Sequence, residues 1–215
     1  MKLYGYFRSS AAFRVRIALN LKGLSPDTAL INLQAGDQSS GDYRRVNPQG
    51  RVPALEDDGA IMMQSMAIME YLDERYPEPA LLPADAASRA RVRGIANIIA
   101  CDIHPLNNLA VLNYLKGSLG ADEAAVVGWY RHWVKEGFDG VEPLLAESVQ
   151  TGTFCHGDAP GLADICLVPQ VFNAQRFDCD LSPYPTIMRI NEACLALEAF
   201  DRALPGKQPE AAELG

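Results

Sequence analysis

Hydrophobic and polar positions follow two periodicities in the first third of the chain. Residues 2–7 form a short aromatic-rich run that predicts a strand, and Ser9-Ser10 opens a stretch with helical spacing of its apolar residues. Lys22-Gly23 ends that helix with a cation and a glycine, as many helices end. Because the helix carries two apolar stripes, we expect it to pack between two layers.

Further strands and a second helix are predicted downstream. Residues 28–33 fit a strand, and residues 53–63 fit two short strands around a turn at 57–59 that contains glycine. A helix begins at Ser65, and Pro77 stops it. The order β-α-β followed by β-β-α predicts a small α/β domain of about the size of thioredoxin.

Strand patterns vanish after a proline-rich stretch, and apolar residues then keep helical spacing over many turns. We therefore predict an α/β domain at residues 1–78, a linker at 79–87 and an all-helical domain at 88–215. The polar tail after Pro205 is expected to fray.

Composition narrows the class of protein. The 215 residues include 19 Lys and Arg against 27 Asp and Glu, and the resulting charge of −8 argues against a nucleic-acid partner. The longest uncharged run, residues 103–115, contains histidine and asparagines, which argues against a membrane span. Because Arg8 interrupts the first apolar run, we expect no signal peptide and a cytoplasmic location.

Cysteine usage argues against a disulfide framework and against a zinc site. The number of cysteines is odd, and no Cys-x-x-Cys pair occurs. We expect reduced, mostly buried thiols and no bound metal. The five residues are Cys101, Cys155, Cys166, Cys179 and Cys194.

Three dipeptides could carry chemistry, and each has a structural alternative. Val52-Pro53 precedes a strand and is either a cis peptide bond or an ordinary trans proline. Gln64-Ser65 starts a helix, where a serine is either a plain N-cap or part of a carboxylate site. Ser9-Ser10 stands at a strand end and a helix start, and it either caps or stabilises a thiolate.

Taken in order, five segments of this chain resemble the zeta class of cytosolic glutathione transferases. Two segments lie in the predicted helical domain, at residues 100–109 and 162–171. The other three lie in the α/β domain and read Ser9-Ser10-Ala11-Ala12-Phe13-Arg14-Val15-Arg16-Ile17-Ala18-Leu19, Asn47-Pro48-Gln49-Gly50-Arg51-Val52-Pro53-Ala54-Leu55 and Gln64-Ser65.

The resemblance implies a thioredoxin-like N-terminal domain that binds glutathione, an all-α domain that shapes the second-substrate pocket, and a homodimer. It implies that the main chain of Val52, before Pro53, pairs with the cysteinyl unit of glutathione and that Gln64-Ser65 hold its γ-glutamyl end. Ser9 or Ser10 would face the sulfur. Further implied glutathione contacts are Gln34, His104 and Asn108, although a structural role for His104 is an equal alternative.

The sequence departs from the zeta pattern at two positions. Ala11 stands where a cysteine often follows the two serines, which removes a site of covalent modification and leaves thiol activation possible. Gly161 replaces the usual Ser or Thr cap, but Asp164 can still reach back to the Gly161 N–H. We interpret Asp164 as a folding residue, and Arg14 and Arg16 as structural.

The activity that the resemblance implies is glutathione-dependent cis–trans isomerisation of maleylacetoacetate to fumarylacetoacetate, in tyrosine and phenylalanine breakdown. Because such a small dicarboxylic keto acid develops further negative charge during reaction, cations should bind it, and Arg8 and Arg176 are the candidates. The same chemistry on maleylpyruvate is the close alternative. A non-catalytic binding protein of the same fold is the alternative outside enzymes.

Overall fold

The computed structural model describes residues 1–214, which form two compact units. The first unit contains residues 1–81 and the segment that begins at Ala196, and the second is Leu82–Leu195. The division therefore differs from the predicted boundaries. Residues 196–214, here called the C-terminal segment, were assigned to the helical domain but belong to the first unit.

A four-stranded mixed sheet forms the centre of the first unit. Its strands are β1 Lys2–Gly5, β2 Asp27–Leu30, β3 Ala54–Asp57 and β4 Ala60–Met63, in the spatial order β2-β1-β3-β4. The β1 and β2 strands pair in parallel, and the other pairs are antiparallel. Asp58 and Gly59 adopt φ values of 48° and 79°, as a type I′ hairpin turn requires. The predicted hairpin is confirmed, whereas the first two strands end earlier than predicted.

The α-helices of residues 1–214 are, in chain order, α1 Ser10–Leu21, α2 Gly41–Val46, α3 Ser65–Arg75, α4 Ala86–Asn97, α5 Leu109–Gly117, α6 Glu123–Ala146, α7 Leu162–Arg176, α8 Pro185–Leu195, α9 Glu198–Asp201 and α10 Ala211–Leu214. Helix α1 packs against α3 and against α9. Val15 and Ile17 on α1 are fully buried, as is Leu72 on α3. The two apolar stripes of α1 thus serve two contacts, as predicted.

The second unit is all-helical, as predicted. Helix α7 packs against both α4 and α8 and is buried along nearly its whole length, which explains its apolar residues on every side. Helix α6 instead buries one stripe at helical spacing, from Val126 to Leu145. A π-helical turn, Ile98–Ile103, follows α4 directly. Within residues 1–214, no helix combines the length and apolar character needed to cross a membrane.

Candidate active site

The loop between β1 and α1 presents two serines at a helix N-terminus. Ser9 is the N-cap of α1, and its Oγ accepts a hydrogen bond from the Ala12 N–H at 3.2 Å. The Ser9 N–H donates to the Tyr6 carbonyl at 3.0 Å and closes the turn. Ser10 is the first residue of the helix and is buried. A hydroxyl that accepts as a cap can still donate its proton, so Ser9 can do both at the positive end of the helix dipole.

Arg8 lies beside this serine pair and has no carboxylate partner within residues 1–214. Its guanidinium carbon lies 5.1 Å from the centroid of the Phe7 ring. The side chain is half-buried. An arginine held against a ring and without an internal counterion can bind an anionic group.

The Val52-Pro53 peptide bond is cis, which settles the choice that the sequence left open. Within residues 1–214, the N–H and carbonyl of Val52 make no hydrogen bond with other backbone groups. The preceding carbonyl, of Arg51, accepts from Tyr43 Oη and Asn47 Nδ2, both at 2.7 Å. Val52 therefore offers one donor and one acceptor beside a fixed peptide group.

The start of α3 differs from the expected serine cap. Gln64 is the N-cap, with a φ of 71° and no capping hydrogen bond from its side chain, and Ser65 is the first helical residue. The helix therefore begins without a side-chain cap, although Ser is the stronger capping residue. The first N–H groups of such a helix retain the capacity to bind an anion.

Arg14 brings a cation to the start of α3, a contact that the sequence did not predict. Its Nη1 donates to Ser65 Oγ at 3.3 Å, and the residue is 1% exposed. Gln64 Nε2 in turn donates to Gln49 Oε1 at 2.8 Å. An arginine within an apolar helix indicates a buried partner, but only the packing of α1 on α3 identifies Ser65 as one.

Gln34 occupies a different environment, on the loop after β2. Its side chain is exposed and makes no hydrogen bond within residues 1–214, while its N–H donates to Asn32 Oδ1 at 3.0 Å. No hydrogen bond of the described residues joins Gln34 to the serine loop or to the start of α3. Its role remains a prediction.

Three predicted site residues belong to the second unit. His104 directly follows the π-helical turn, a feature that is frequent at functional sites. Asn108 is the N-cap of α5, and its Oδ1 accepts from the Ala110 N–H at 3.0 Å. Arg176 ends α7, is exposed and has its guanidinium carbon 5.0 Å from the Phe177 ring centroid. Like Arg8, Arg176 has no carboxylate partner within residues 1–214.

The chain is similar to known proteins in both sequence and structure. The family model of the glutathione S-transferase N-terminal domain matches residues 3–80 of this chain. A maleylpyruvate isomerase from Ralstonia sp is 49% identical over 212 residues, which cover 99% of this chain and 100% of that protein.

Two solved structures are also similar over nearly the whole chain. A holo structure of a maleylpyruvate isomerase, described as a zeta-class bacterial glutathione S-transferase, has a TM-score of 0.97 at 48% identity and covers 98% of this chain and 100% of that chain. A maleylacetoacetate isomerase from Methylobacterium extorquens AM1, with bound malonate and GSH, has a TM-score of 0.95 at 43% identity and covers 98% and 99%.

A thioredoxin-like unit with serines at the first helix, together with an all-helical unit, is the architecture of a glutathione transferase. The matches extend over nearly the full length of this chain and of its relatives. The chain belongs to the glutathione S-transferase family and, within it, to the zeta class.

Proposed function

We propose that this chain is a glutathione-dependent cis–trans isomerase that converts maleylacetoacetate to fumarylacetoacetate. The observation that carries the proposal is the unpaired main chain of Val52 beside the cis-proline. One N–H and one carbonyl in this position match the donor and acceptor of the cysteinyl unit of glutathione. A relative whose structure contains GSH and the dicarboxylate malonate supports both the cofactor and the substrate class.

The start of α3 fits the other charged part of glutathione. Its N–H groups lack a side-chain cap, Ser65 adds a hydroxyl, and Arg14 adds a buried positive charge. A carboxylate is the group that such a combination favours. We assign the γ-glutamyl carboxylate to this position, held by Gln64 and Ser65, and we retain Gln34, His104 and Asn108 as proposed further contacts.

Bound glutathione supplies a thiolate that can add reversibly to the activated double bond of a maleyl substrate and so permit rotation about it. The residues of this chain provide the conditions for that chemistry. The hydroxyl of Ser9 or of Ser10, at the positive end of α1, donates to the sulfur and favours its ionised form. Arg8 and Arg176 bind carboxylates of the substrate and stabilise the negative charge that develops.

Maleylpyruvate is the second candidate substrate. A relative from Ralstonia sp that bears the name maleylpyruvate isomerase matches this chain along its whole length. Both substrates present a cis double bond conjugated to a carbonyl group and two acidic ends, so the same residues suit either.

Parallel assays of the two substrates test the proposal. We expect isomerisation of maleylacetoacetate that requires glutathione and that does not occur with S-methylglutathione, which keeps the binding groups but lacks the thiol. A much larger kcat/KM with maleylpyruvate would favour the second candidate. Turnover of neither substrate would contradict the isomerase assignment and would leave a glutathione-binding protein.

Replacing both Ser9 and Ser10 with alanine is expected to raise the pKa of the bound thiol by about 1–2 pH units, because hydrogen bonds to a charged group contribute about 1.5–3 kcal/mol. Titration of the thiolate absorbance of the complex measures this pKa. Ser40→Ala is the matched control, since Ser40 also caps a helix, with Oγ accepting from the Tyr43 N–H at 3.2 Å. An unshifted titration in the double variant would contradict the assignment.

We further propose that the enzyme is a cytoplasmic homodimer. The class resemblance implies this assembly, and apolar side chains on the edge strand β4 are consistent with it. Ile61 and Met63 of this strand are 41% and 38% exposed. Large exposed apolar side chains on an edge strand are typical of a surface that is covered in an assembly.

A further inference from the structure

The C-terminal segment is fixed to α1 at two points. Arg16 donates from Nε and from Nη2 to the Ala203 carbonyl, at 3.1 and 3.0 Å. One turn further along α1, Asn20 Nδ2 donates to the Ala199 carbonyl at 2.8 Å. Ala203 itself is buried, at 1% exposure. The part of the C-terminal segment that precedes Pro205 is thus docked on α1 by directional hydrogen bonds.

The same guanidinium also holds the loop that carries the serines. Arg16 Nη2 donates to the Phe7 carbonyl at 3.0 Å. Phe7 is buried, directly precedes Arg8 and lies two residues before Ser9. Because Nη2 binds Phe7 and Ala203 together, a displacement of the C-terminal segment changes the support of this loop.

The environment of Arg16 keeps its guanidinium charged and in one orientation. Burial lowers the pKa of Arg16 to about 10, and the carboxylate of Glu210, in the C-terminal segment, opposes that shift. The Arg16 guanidinium carbon also lies 5.3 Å from the Phe13 ring centroid. A planar guanidinium can bridge two carbonyls in a fixed geometry, whereas a lysine ammonium has no rigid fork.

We propose that Arg16 is a positioning residue, which uses the C-terminal segment to hold the Phe7 carbonyl and thereby sets the place of the Ser9 hydroxyl against the glutathione sulfur. The inference rests on the proposed function and deepens it. Within residues 1–214, Val52, Gln64 and Ser65 make no hydrogen bond with Arg16, so loss of Arg16 should affect thiol activation more than glutathione binding.

Three variants of the full chain test this inference: Arg16→Met, Arg16→Lys and Asn20→Ala. Asn20→Ala is the matched control, since it removes one hydrogen bond between the C-terminal segment and α1 and keeps the Arg16 bonds to Phe7 and Ala203. For each variant the thiol pKa of bound glutathione, the Kd of S-methylglutathione, kcat and thermal stability are measured. These readouts separate thiol activation from binding and from folding.

We expect Arg16→Met to raise the thiol pKa by about one pH unit and to lower kcat about tenfold, within the ~100-fold that a misplacement of about 1 Å can cost. The Kd of S-methylglutathione should stay within about twofold. Arg16→Lys should restore part of the thiol activation, and Asn20→Ala should leave the thiol pKa unchanged.

An unchanged thiol pKa in folded Arg16→Met would reduce Arg16 to a structural role and overturn the inference. An equal rise in Asn20→Ala would also overturn it, because the thiol pKa would then change although both Arg16 contacts, to Phe7 and to Ala203, are still present. If Arg16→Met does not fold, Arg16→Lys decides: a thiol pKa equal to that of the unmodified chain rejects the positioning role. Failure of the proposed isomerase shows separately, as absence of turnover in the unmodified chain, because the thiol titration needs no substrate.

Discussion

Replacing Asp164 with alanine is expected to lower the free energy of unfolding by about 2–6 kcal/mol. The buried Cys155 N–H and the partly buried Gly161 N–H both lose their acceptor, and each donor left without one costs about 1–3 kcal/mol. Asp164 Oδ1 accepts from the Cys155 N–H at 2.8 Å, and Oδ2 accepts from the Gly161 N–H at 2.9 Å. Asp164 is 1% exposed, so its carboxylate lies away from bulk water in the folded protein. The Gly161 contact is the half of a capping box predicted from the sequence.

Two denaturant titrations, monitored by circular dichroism, measure this effect against a matched control. Asp158 makes similar bonds on the surface, where its Oδ1 accepts from the Thr153 N–H at 3.0 Å and from Thr153 Oγ1 at 2.9 Å. Asp158→Ala should cost about 1 kcal/mol or less, as for an exposed cap. Equal losses in the two variants would contradict the argument from burial.

The elements with local signals were predictable from the sequence. Helix α1 begins and ends where the serines and Lys22-Gly23 indicated, and the hairpin at 57–60 follows from its turn residues. Both depend on contacts between residues close in the chain. The serine loop and the uncapped start of α3 lie at the ends of such elements, so their approximate positions followed as well.

Features that depend on distant residues were not predictable from periodicity. The Ala203 carbonyl is 187 residues from Arg16 in the chain, and no local pattern marks a backbone carbonyl as a partner. For the same reason Arg14 was interpreted as structural without reference to Ser65, which lies 51 residues away. The predicted cap of α3 was wrong. Ser65 was expected to be the N-cap because serine is preferred at that position, whereas the N-cap is Gln64, which has a positive φ.

Arg176→Ala is expected to raise KM for the maleyl substrate about 10–150-fold, the equivalent of about 1.5–3 kcal/mol for a hydrogen bond to a charged group. Its guanidinium lies against the Phe177 ring and has no carboxylate partner within residues 1–214, so a substrate carboxylate would not have to displace one. Arg131, by contrast, lies 3.8 Å from Asp178 as an ion pair.

Steady-state kinetics with saturating glutathione measures the change in KM. Two further variants test whether the change is specific to Arg176 and to its guanidinium. Arg189→Ala is the control, because Arg189 is an exposed arginine of the same unit whose Nη1 donates to the Thr153 carbonyl at 3.3 Å. It should leave KM unchanged. Arg176→Lys should recover part of the loss, since an ammonium keeps the charge but not the bidentate geometry. If Arg176→Ala has the kinetics of the unmodified chain, Arg176 does not bind the substrate and the carboxylate must be bound by Arg8 or by another donor.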